Sequence, residues 1–235
     1  MVDYPERKLV IAIDGPAGAG KSTLASRLAR KLGYLNIETG AMYRALALKA
    51  IENDVSFDEE QTLLNLARHT SIKLKPMLDG NTVILDGYDV SKRIRDEDVT
   101  RAASRVSVHP AVREWMVEKQ RDMGSEGGVV MEGRDIGTVV FPHADVKIFL
   151  DAAPEVRGVR RFQQVTVGPD LSKASGSKEA LAIIAEMRER DQRDRSRVTS
   201  PLLPAEDALV IDSTDLTLEQ VIERAEELIH KKLFS

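Results

Sequence analysis

Near its N-terminus the chain reads Gly15-Pro16-Ala17-Gly18-Ala19-Gly20-Lys21-Ser22-Thr23, which fits the phosphate-binding loop pattern G-x-x-x-x-G-K-[ST] at each fixed position. The glycines leave backbone N–H groups free to point at phosphate oxygens. Lys21 can bridge the β- and γ-phosphates, and the Ser22 hydroxyl can ligate Mg²⁺. The loop therefore predicts a site for the polyphosphate of a nucleoside triphosphate.

The segments on either side of the loop support this interpretation. Residues 9–13 form a continuous apolar run, which predicts a buried parallel strand. Behind the loop, Leu24, Leu28 and Leu32 recur at helical spacing, and Gly33 ends the pattern. The loop is thus placed between a strand and a helix N-terminus, where the helix dipole favours anions. A chance glycine-rich turn would not be expected to have both flanks.

Apolar strand-like runs alternate with helical patterns along the chain, which predicts an α/β fold with a doubly wound parallel sheet. The five predicted strands of this phosphate-loop core are 10–13, 34–37, 129–131, 146–150 and 208–211. The helices predicted around the sheet include 41–53, 111–123 and 218–232.

Two segments interrupt the alternation. Residues 71–75 and 82–85 are short β-like runs separated by the turn signal Asp79-Gly80, which predicts a small antiparallel insertion over 71–95. The stretch 165–178 is rich in Gly, Ser and Lys and lies between Arg-rich helices, which favours a mobile lid over an inert surface loop. We expect a core of 1–70, 96–164 and 198–235, and a lid with its exit helix over 165–197.

Composition limits the function classes. The chain has 235 residues, 42% of them hydrophobic, and carries a net charge of −4, which argues against nucleic acid as a partner. It has no cysteine, which fits the reducing cytoplasm, and no apolar run long enough to span a membrane. The four histidines are isolated and predict no metal site. We expect a cytoplasmic protein that binds small molecules.

Arginines stand where strands end and helices begin. Moving a phosphoryl group between two phosphates gathers negative charge, which Arg, Lys and Mg²⁺ can neutralise. Residues 39–44 follow the second strand, with Thr39 as a candidate N-cap and Arg44 just over one turn further on. Residues 132–135, Glu-Gly-Arg-Asp, follow a strand at the sheet edge where ligands bind. Arg157, Arg160 and Arg161 lie on the helix that enters the lid.

The helix that leaves the lid carries a stripe that changes from apolar to charged. At steps of three and four residues the stripe runs through Ile183, Met187, Arg190, Asp194 and Arg197. Charges follow a core-facing stripe when they are paired or bind a ligand. A solvated charged face, with an i,i+4 pair between Asp191 and Arg195, is instead expected for the remaining members Asp191, Gln192, Arg193 and Arg195.

Over nearly its full length the sequence resembles the bacterial cytidylate kinases, which are nucleoside monophosphate kinases of the P-loop superfamily. The segments with the resemblance are IDGPAGAGKST (13–23), TGAMYR (39–44), AAS (102–104), VR (112–113), EGRDIGTVVFP (132–142), KIFLDA (147–152) and RDQRDRSR (190–197). The resemblance implies transfer of the ATP γ-phosphoryl group to CMP or dCMP, in pyrimidine metabolism. It also implies that the 71–95 insertion corresponds to the monophosphate-binding insert of these enzymes.

The resemblance implies a role for each matching residue. ATP is held by residues 15–23 with the lid-side Arg160 and Arg161. The CMP phosphate is bound by Arg44, Arg134 and Arg197, and cytosine is recognised by Ser104, Arg113 and Asp135. Arg190 and Asp194 contact the sugar, and Thr39 lies near the acceptor. The implied catalytic groups are Lys21, Arg134, Arg190 and Arg197.

The chemistry of cytosine fits Asp135 and Arg113. Cytosine presents a 4-amino donor with acceptors at N3 and O2, so its site needs an acceptor such as Asp135 and a donor such as Arg113. Uracil instead has a donor at N3 and an acceptor at O4, so UMP would leave buried polar groups unpaired. Each such group costs on the order of 1–3 kcal/mol, which favours CMP over UMP. No general base is needed, because the acceptor phosphate is already ionised near neutral pH.

Magnesium is the expected cofactor, with Ser22 as its protein ligand. Asp14, Glu132 and Asp151 stand at strand ends and are candidates to act on the metal through water.

Other enzymes and a binding protein are alternatives. A shikimate- or dephospho-coenzyme-A-kinase-like enzyme would share the loop and lid without Ser104, Arg113 and Asp135. A GTP-dependent switch would carry an N-K-x-D motif, which the chain lacks. We expect a monomer.

Overall fold

The computed structural model describes residues 8–77, 80–165 and 178–234. In chain order its strands are β1 (Val10–Asp14), β2 (Leu35–Glu38), β3 (Ile72–Met77), β4 (Gly80–Leu85), β5 (Tyr88–Asp89), β6 (Val129–Gly133), β7 (Val146–Asp151) and β8 (Leu209–Asp212). The α-helices are α1 (Lys21–Leu32), α2 (Thr39–Glu52), α3 (Glu60–Arg68), α4 (Glu97–Val106), α5 (Pro110–Gly124), α6 (Pro154–Val165), α7 (Lys178–Ser196) and α8 (Leu218–Leu233).

The main sheet has five parallel strands in the order β2-β6-β1-β7-β8. The predicted α/β sheet is therefore confirmed, and each predicted strand is present to within two residues of its bounds. The prediction ended the third of these strands at Met131, whereas β6 continues to Gly133. Backbone pairing of Glu132 with Ile13 and of Gly133 with Asp14 extends the strand, although its side chains are no longer apolar.

The parallel register brings several strand ends to one edge of the sheet. β1, the central strand, pairs with β6 on one side and with β7 on the other. The carboxyl ends of β1, β2, β6 and β7 therefore meet there, which is the edge where ligands bind in open α/β sheets. That edge presents Asp14, Glu38, Glu132 and Asp151.

Two layers of helices cover the sheet. On one face, Leu24 and Leu28 of α1 and Val221 and Ile229 of α8 pack on strand residues such as Ile148. On the other face, Val117 of α5 packs on strand residues such as Ala12, Ile37 and Met131. Residues of α2, α4 and α5 form a further core. Among the described residues, no helix is both long enough and apolar enough to cross a membrane.

Local signals explain where these helices start and stop. Gly33 ends α1 with φ 69°, a left-handed conformation in which its N–H bonds the Ala29 carbonyl. Pro110 occupies the first turn of α5, where a missing N–H costs nothing. Thr217 and Gln220 form a capping box at the start of α8.

The insertion is antiparallel, as predicted. β3 pairs with β4 from Ile72 opposite Leu85 to Met77 opposite Gly80, and β4 pairs with the short strand β5. Val83 and Leu85 of β4 join the core formed by α2 and α4. The turn residue Asp79 lies outside the described residues.

Helices α6 and α7, on either side of the predicted lid loop, pack closely against each other. A Cβ atom added to Gly158 of α6 would lie 2.2 Å from Cγ1 of Ile184 on α7, so only glycine permits this approach. Most of the predicted lid loop, residues 166–177, lies outside the described residues.

Candidate active site

The phosphate-binding loop connects β1 to α1 in a conformation that requires glycine. Gly15 has φ 146°, and a Cβ atom there would lie 1.9 Å from the Leu150 carbonyl oxygen. Gly18 has φ 74°, and its Cβ would lie 2.8 Å from the terminal methyl of Met187. The loop is thus packed between the end of β7 and helix α7.

Lys21 is buried at the base of the loop. Its Nζ donates to the Pro16 carbonyl at 2.8 Å and lies 3.9 Å from Oε2 of Glu132. Burial lowers the pKa of Lys21, and the nearby positive charge of Arg134 lowers it further. Bound phosphate would oppose this effect, because an anion favours the charged ammonium.

Glu132 faces the loop across the sheet edge. Ser22 Oγ donates to Oε1 of Glu132 at 2.7 Å. The two other acidic candidates are engaged elsewhere. Asp14 accepts the backbone N–H groups of Ile136 (2.8 Å) and Gly137 (2.7 Å). Asp151 accepts from the Ala152 N–H and from Arg195. Of the three carboxylates, only Glu132 lies beside Ser22.

The predicted arginines converge on Asp194 and Glu38. Arg134 Nε donates to Oδ2 of Asp194 at 2.9 Å, and Arg197 Nη1 lies 3.6 Å from Oδ1 of the same carboxylate. Arg44 forms an ion pair with Glu38, and Arg95 Nη2 lies 3.8 Å from that glutamate. Two short acidic side chains thus hold several guanidinium groups together at the strand ends.

Several nitrogens of this cluster lack a partner in the structure as described. They are Nε of Arg44, Nε of Arg190, and Nε and Nη2 of Arg197, all of them buried. Burial lowers the pKa of Arg190 to about 10, and the nearby positive charge of Arg134 contributes to this shift. Arg190 is therefore still charged at neutral pH. Buried donors without acceptors are costly, and a site for an anion would satisfy them.

Thr39 does not act as an N-cap, contrary to the prediction. The N-cap position of α2 is Glu38, and Thr39 is the first helical residue. The Thr39 hydroxyl instead donates to the Glu132 carbonyl at 2.8 Å. Because α2 begins directly at the sheet edge, the hydroxyl lies against β6 rather than against the free N–H groups of its own helix.

The three residues assigned to cytosine are all buried. Arg113 Nη2 donates to Oδ2 of Asp135 at 2.5 Å, and their side chains are 2% and 7% exposed. The Arg113 guanidinium also lies 5.5 Å from the centre of the Tyr43 ring. Ser104 on α4 is buried, and its hydroxyl accepts from Nη1 of Arg193 at 2.8 Å.

The two lid-side arginines face different neighbours. Arg160 donates from Nη2 to the Ser213 carbonyl at 2.8 Å and from Nη1 to the Ala19 carbonyl at 3.4 Å, beside the phosphate-binding loop. Arg161 lies on the side of Arg44 and Arg95, where burial and these positive charges lower its pKa. Arg160 is therefore placed near the ATP loop, and Arg161 near the arginine cluster.

The prediction of a solvated face on α7 was wrong for Asp191. Arg193 is 35% exposed and pairs at i,i+4 with Glu189, as expected for such a face, but it also contacts α4. Asp191 is buried, and its Oδ2 lies 2.6 Å from Nη1 of Arg157. Arg157 also donates to the carbonyls of Ala152 and Ala17, and the latter belongs to the phosphate-binding loop. The expected pair of Asp191 with Arg195 is replaced by a contact of Arg195 with Asp151, 3.3 Å away.

These contacts were missed because α7 is covered on more than one side. A single stripe at helical spacing predicts one buried face of a helix. In the structure, Arg157 of α6 pairs with Asp191, and Ser104 of α4 accepts a hydrogen bond from Arg193. The signal available in the sequence was Arg157, a cation without an evident partner on the preceding helix.

Known proteins match the chain over almost its entire length. A family model described as cytidylate kinase matches residues 11–231. The cytidylate kinase of Geobacillus kaustophilus is 48% identical over 228 residues, which cover 97% of this chain and 99% of that protein. The cytidylate kinase of Vibrio cholerae is 47% identical and covers 95% of this chain and 97% of its own.

Solved structures give a more remote likeness. A shikimate kinase from Bacteroides thetaiotaomicron aligns with a TM-score of 0.49 at 14% identity, covering 95% of this chain and 99% of its own. A likeness of that order assigns no substrate. The family model and the relatives with more than 45% identity confirm the resemblance found in the sequence: the chain belongs to the cytidylate kinase family.

Proposed function

We propose that this enzyme transfers the γ-phosphoryl group of ATP to CMP or dCMP, giving ADP and CDP or dCDP. The proposal rests on one observation above the others. Buried guanidinium nitrogens of Arg44, Arg190 and Arg197 have no partner among the described residues, and they lie at the same sheet edge as the phosphate-binding loop. A second phosphate at that edge would supply their acceptors.

The phosphate-binding loop accounts for the donor. Backbone N–H groups of residues 15–23 and the N-terminus of α1 would surround the ATP phosphates. Lys21 would exchange its bond to the Pro16 carbonyl for the β- and γ-phosphates. Arg160, which donates to the Ala19 carbonyl of this loop, would contribute on the lid side, with Arg161 closer to the transferred group.

The arginine cluster accounts for the acceptor phosphate. Arg44, Arg134 and Arg197 would bind it, with Arg190 and Asp194 at the sugar. Asp194 already orients Arg134 and Arg197, so little reorganisation would be needed when the nucleotide arrives. Arg190, charged at neutral pH, is suited to stabilise charge that develops on the transferred phosphoryl group.

The Arg113–Asp135 pair accounts for the base. Asp135 would accept from the 4-amino group of cytosine, while Arg113 and Ser104 would donate to N3 and O2. The ion pair holds both side chains in a buried position before the nucleotide binds. Uracil would place a carbonyl against the Asp135 carboxylate and an N–H against the donors, which disfavours UMP.

The chain's chemistry consists of positioning and charge neutralisation. The acceptor oxygen is ionised, so the protein would align it with the γ-phosphorus and exclude water when the lid closes. Thr39 lies beside Glu132 at the acceptor side of the loop, where its hydroxyl is held by the β6 backbone.

The oxygen donors at the loop suit magnesium. Ser22 Oγ and the Glu132 carboxylate adjoin each other, and oxygen is the ligand that Mg²⁺ prefers. Ser22 would ligate the metal directly and Glu132 through water. Bound Mg²⁺ would neutralise charge on the β- and γ-phosphates. Within the described residues there is no cluster of three His, Asp or Glu, which fits an ion held mainly by phosphate and water.

We further propose the division of the chain stated above, with a core, a monophosphate-binding insertion at 71–95 and a lid at 165–197. We also propose that the enzyme acts as a monomer in the cytoplasm. The cysteine-free composition is consistent with that compartment. Light scattering would give the mass in solution, and a dimer would contradict the monomer.

The function is tested by measuring ADP release from Mg-ATP with CMP, dCMP, UMP, AMP, GMP and shikimate as acceptors. We expect rapid turnover with CMP and dCMP and at least tenfold lower kcat/KM with UMP, as the loss of one buried polar contact implies about that factor. Turnover with shikimate alone would be compatible with the proposed ATP site but would contradict the assignment of residues to cytosine. ATP binding without turnover on any acceptor would contradict the kinase.

A further inference from the structure

The Ser104 hydroxyl has an unusual hydrogen-bonding state. It lies on α4, is buried, and accepts from Nη1 of Arg193 on α7 at 2.8 Å. A serine inside a helix ordinarily donates to the carbonyl four residues earlier. Here, within the part of the chain that the structure describes, no hydrogen bond has the Ser104 hydroxyl as its donor. A buried hydroxyl proton without an acceptor indicates an acceptor on a ligand.

The chemistry of arginine fixes the direction of this bond. A guanidinium has only donors, so Ser104 Oγ must accept, and one of its two lone pairs is occupied. The remaining proton is free to be donated. Nη2 of Arg193 lies 3.1 Å from Glu189, one turn earlier on α7, which holds the guanidinium in place.

We infer that Arg193 is a specificity-determining positioning residue, which orients the Ser104 hydroxyl as a donor toward N3 of cytosine. The inference rests on the proposed function and deepens it. The bond crosses from the lid-exit helix to the base site. It therefore makes recognition of the base depend on α7, the helix that also carries Arg190, Asp194 and Arg197.

Uracil would be disfavoured by the same arrangement. Its N3 carries a proton and must meet an acceptor, whereas Arg193 occupies one acceptor position on Ser104 and places a positive charge beside the other. Losing the bond would free the hydroxyl to rotate and to accept. Replacement of Arg193 should therefore change the ratio between acceptors more than it changes turnover.

The test is a double-mutant cycle on the ratio of kcat/KM for CMP to kcat/KM for UMP. We expect R193M to lower this ratio about fivefold to tenfold, the effect of one lost hydrogen bond. S104A should lower it similarly, and R193M in the S104A background should lower it no further. R193K, which keeps a charged donor, should restore part of the ratio.

The control is R188M, which removes an exposed arginine of the same helix that pairs with Glu155. It should leave the ratio unchanged, and thermal unfolding of every variant would show that each is folded. Additive effects of R193M and S104A, or equal losses with CMP and UMP, would contradict the inference alone. A wild-type enzyme that phosphorylates neither nucleotide would contradict the proposed function itself.

Discussion

Gly137 donates its backbone N–H to Oδ2 of Asp14 over 2.7 Å. Asp14 is the last residue of β1, directly before the phosphate-binding loop, and Gly137 follows the segment with Arg134 and Asp135. The other oxygen of the same carboxylate accepts from Ile136. One buried side chain thus connects the strand that leads to the ATP loop with the segment assigned to CMP.

Replacing Asp14 by Asn should weaken the acceptor site. An amide offers only one oxygen, so its NH₂ group would oppose the N–H of Ile136 or Gly137, and the 134–137 segment would shift. We expect the KM for CMP to rise about tenfold, since one buried donor loses its acceptor. The KM for ATP should change less. Steady-state kinetics with each substrate varied in turn would measure both, and an unchanged KM for CMP would refute the positioning role.

Asp14 should also make stability depend on pH. Burial raises the pKa of Asp14 from 3.8 to about 7, against the opposing effect of the Gly137 and Ile136 N–H groups. Between pH 3.8 and about pH 7, Asp14 therefore keeps its proton in the folded state, whereas it has released it in the unfolded state. The stabilisation is present at low pH and is lost as the pH rises through about 7. D14N has no such titration. Relative to the wild type, its free energy of unfolding should therefore increase between about pH 5 and about pH 8.

Urea unfolding of both proteins across that range would measure the difference. Asp135 raises the pKa of Asp14 and Lys21 lowers it, so the comparison should be made without nucleotide, which would change the charge on the loop. A constant difference between wild type and D14N would show that Asp14 does not titrate in this window.

Lys21→Ala should remove turnover and leave the fold intact. The buried ammonium donates to the Pro16 carbonyl of the loop, and loss of a preorganised charge of this kind costs at least about 10²-fold to 10³-fold in kcat. K31A is a matched control, because Lys31 is a half-exposed lysine of the same helix that pairs with Glu226. The ADP-release assay and circular dichroism would be compared for both. A K21A enzyme with wild-type kcat would disprove the assigned role.

Asp135→Asn should shift the preference from CMP toward UMP. The substitution keeps the shape of the side chain but lets it present an N–H donor to the O4 carbonyl of uracil. We expect the CMP-to-UMP ratio of kcat/KM to fall at least tenfold, because one acceptor contact is lost and one repulsive contact is relieved. If D135N discriminated as well as the wild type, the base would have to be recognised elsewhere.

Sequence patterns predicted the sheet and the phosphate-binding loop, because both depend on local spacing. Val10–Asp14 is apolar enough to be identified as a strand by itself. The rest depends on contacts across the fold. Glu132 extends β6 only because Ile13 pairs with it, and Thr39 bonds the β6 backbone because α2 starts at the sheet edge.

The charges of α7 show the same limit. Spacing correctly identified Met187 and Asp194 as buried, but it could not show that α6 would cover Asp191 as well. A helix that packs on two neighbours buries two faces, and only the position of the second neighbour shows which polar residues are enclosed. Arg157 and Asp191 are separated by 34 positions in the sequence and meet through that packing.

Breaking this buried pair should be more destabilising than removing both members. In R157M the Asp191 carboxylate would be left buried without its cation, and Oδ1 of Asp191 already lacks a partner among the described residues. Loss of one member of a buried pair costs about 3–5 kcal/mol, whereas apolar replacement of both is often close to neutral. We therefore expect R157M to lower the free energy of unfolding by roughly that amount. R157M with D191L should recover most of the loss.

Arg157 also donates to the Ala17 carbonyl in the phosphate-binding loop, so R157M should weaken ATP binding. Restoring stability in the double variant should not restore ATP affinity. Urea unfolding and calorimetric ATP titration of the two variants would separate the effects. An additive loss of stability, or recovery of ATP affinity in the double variant, would contradict this division of roles.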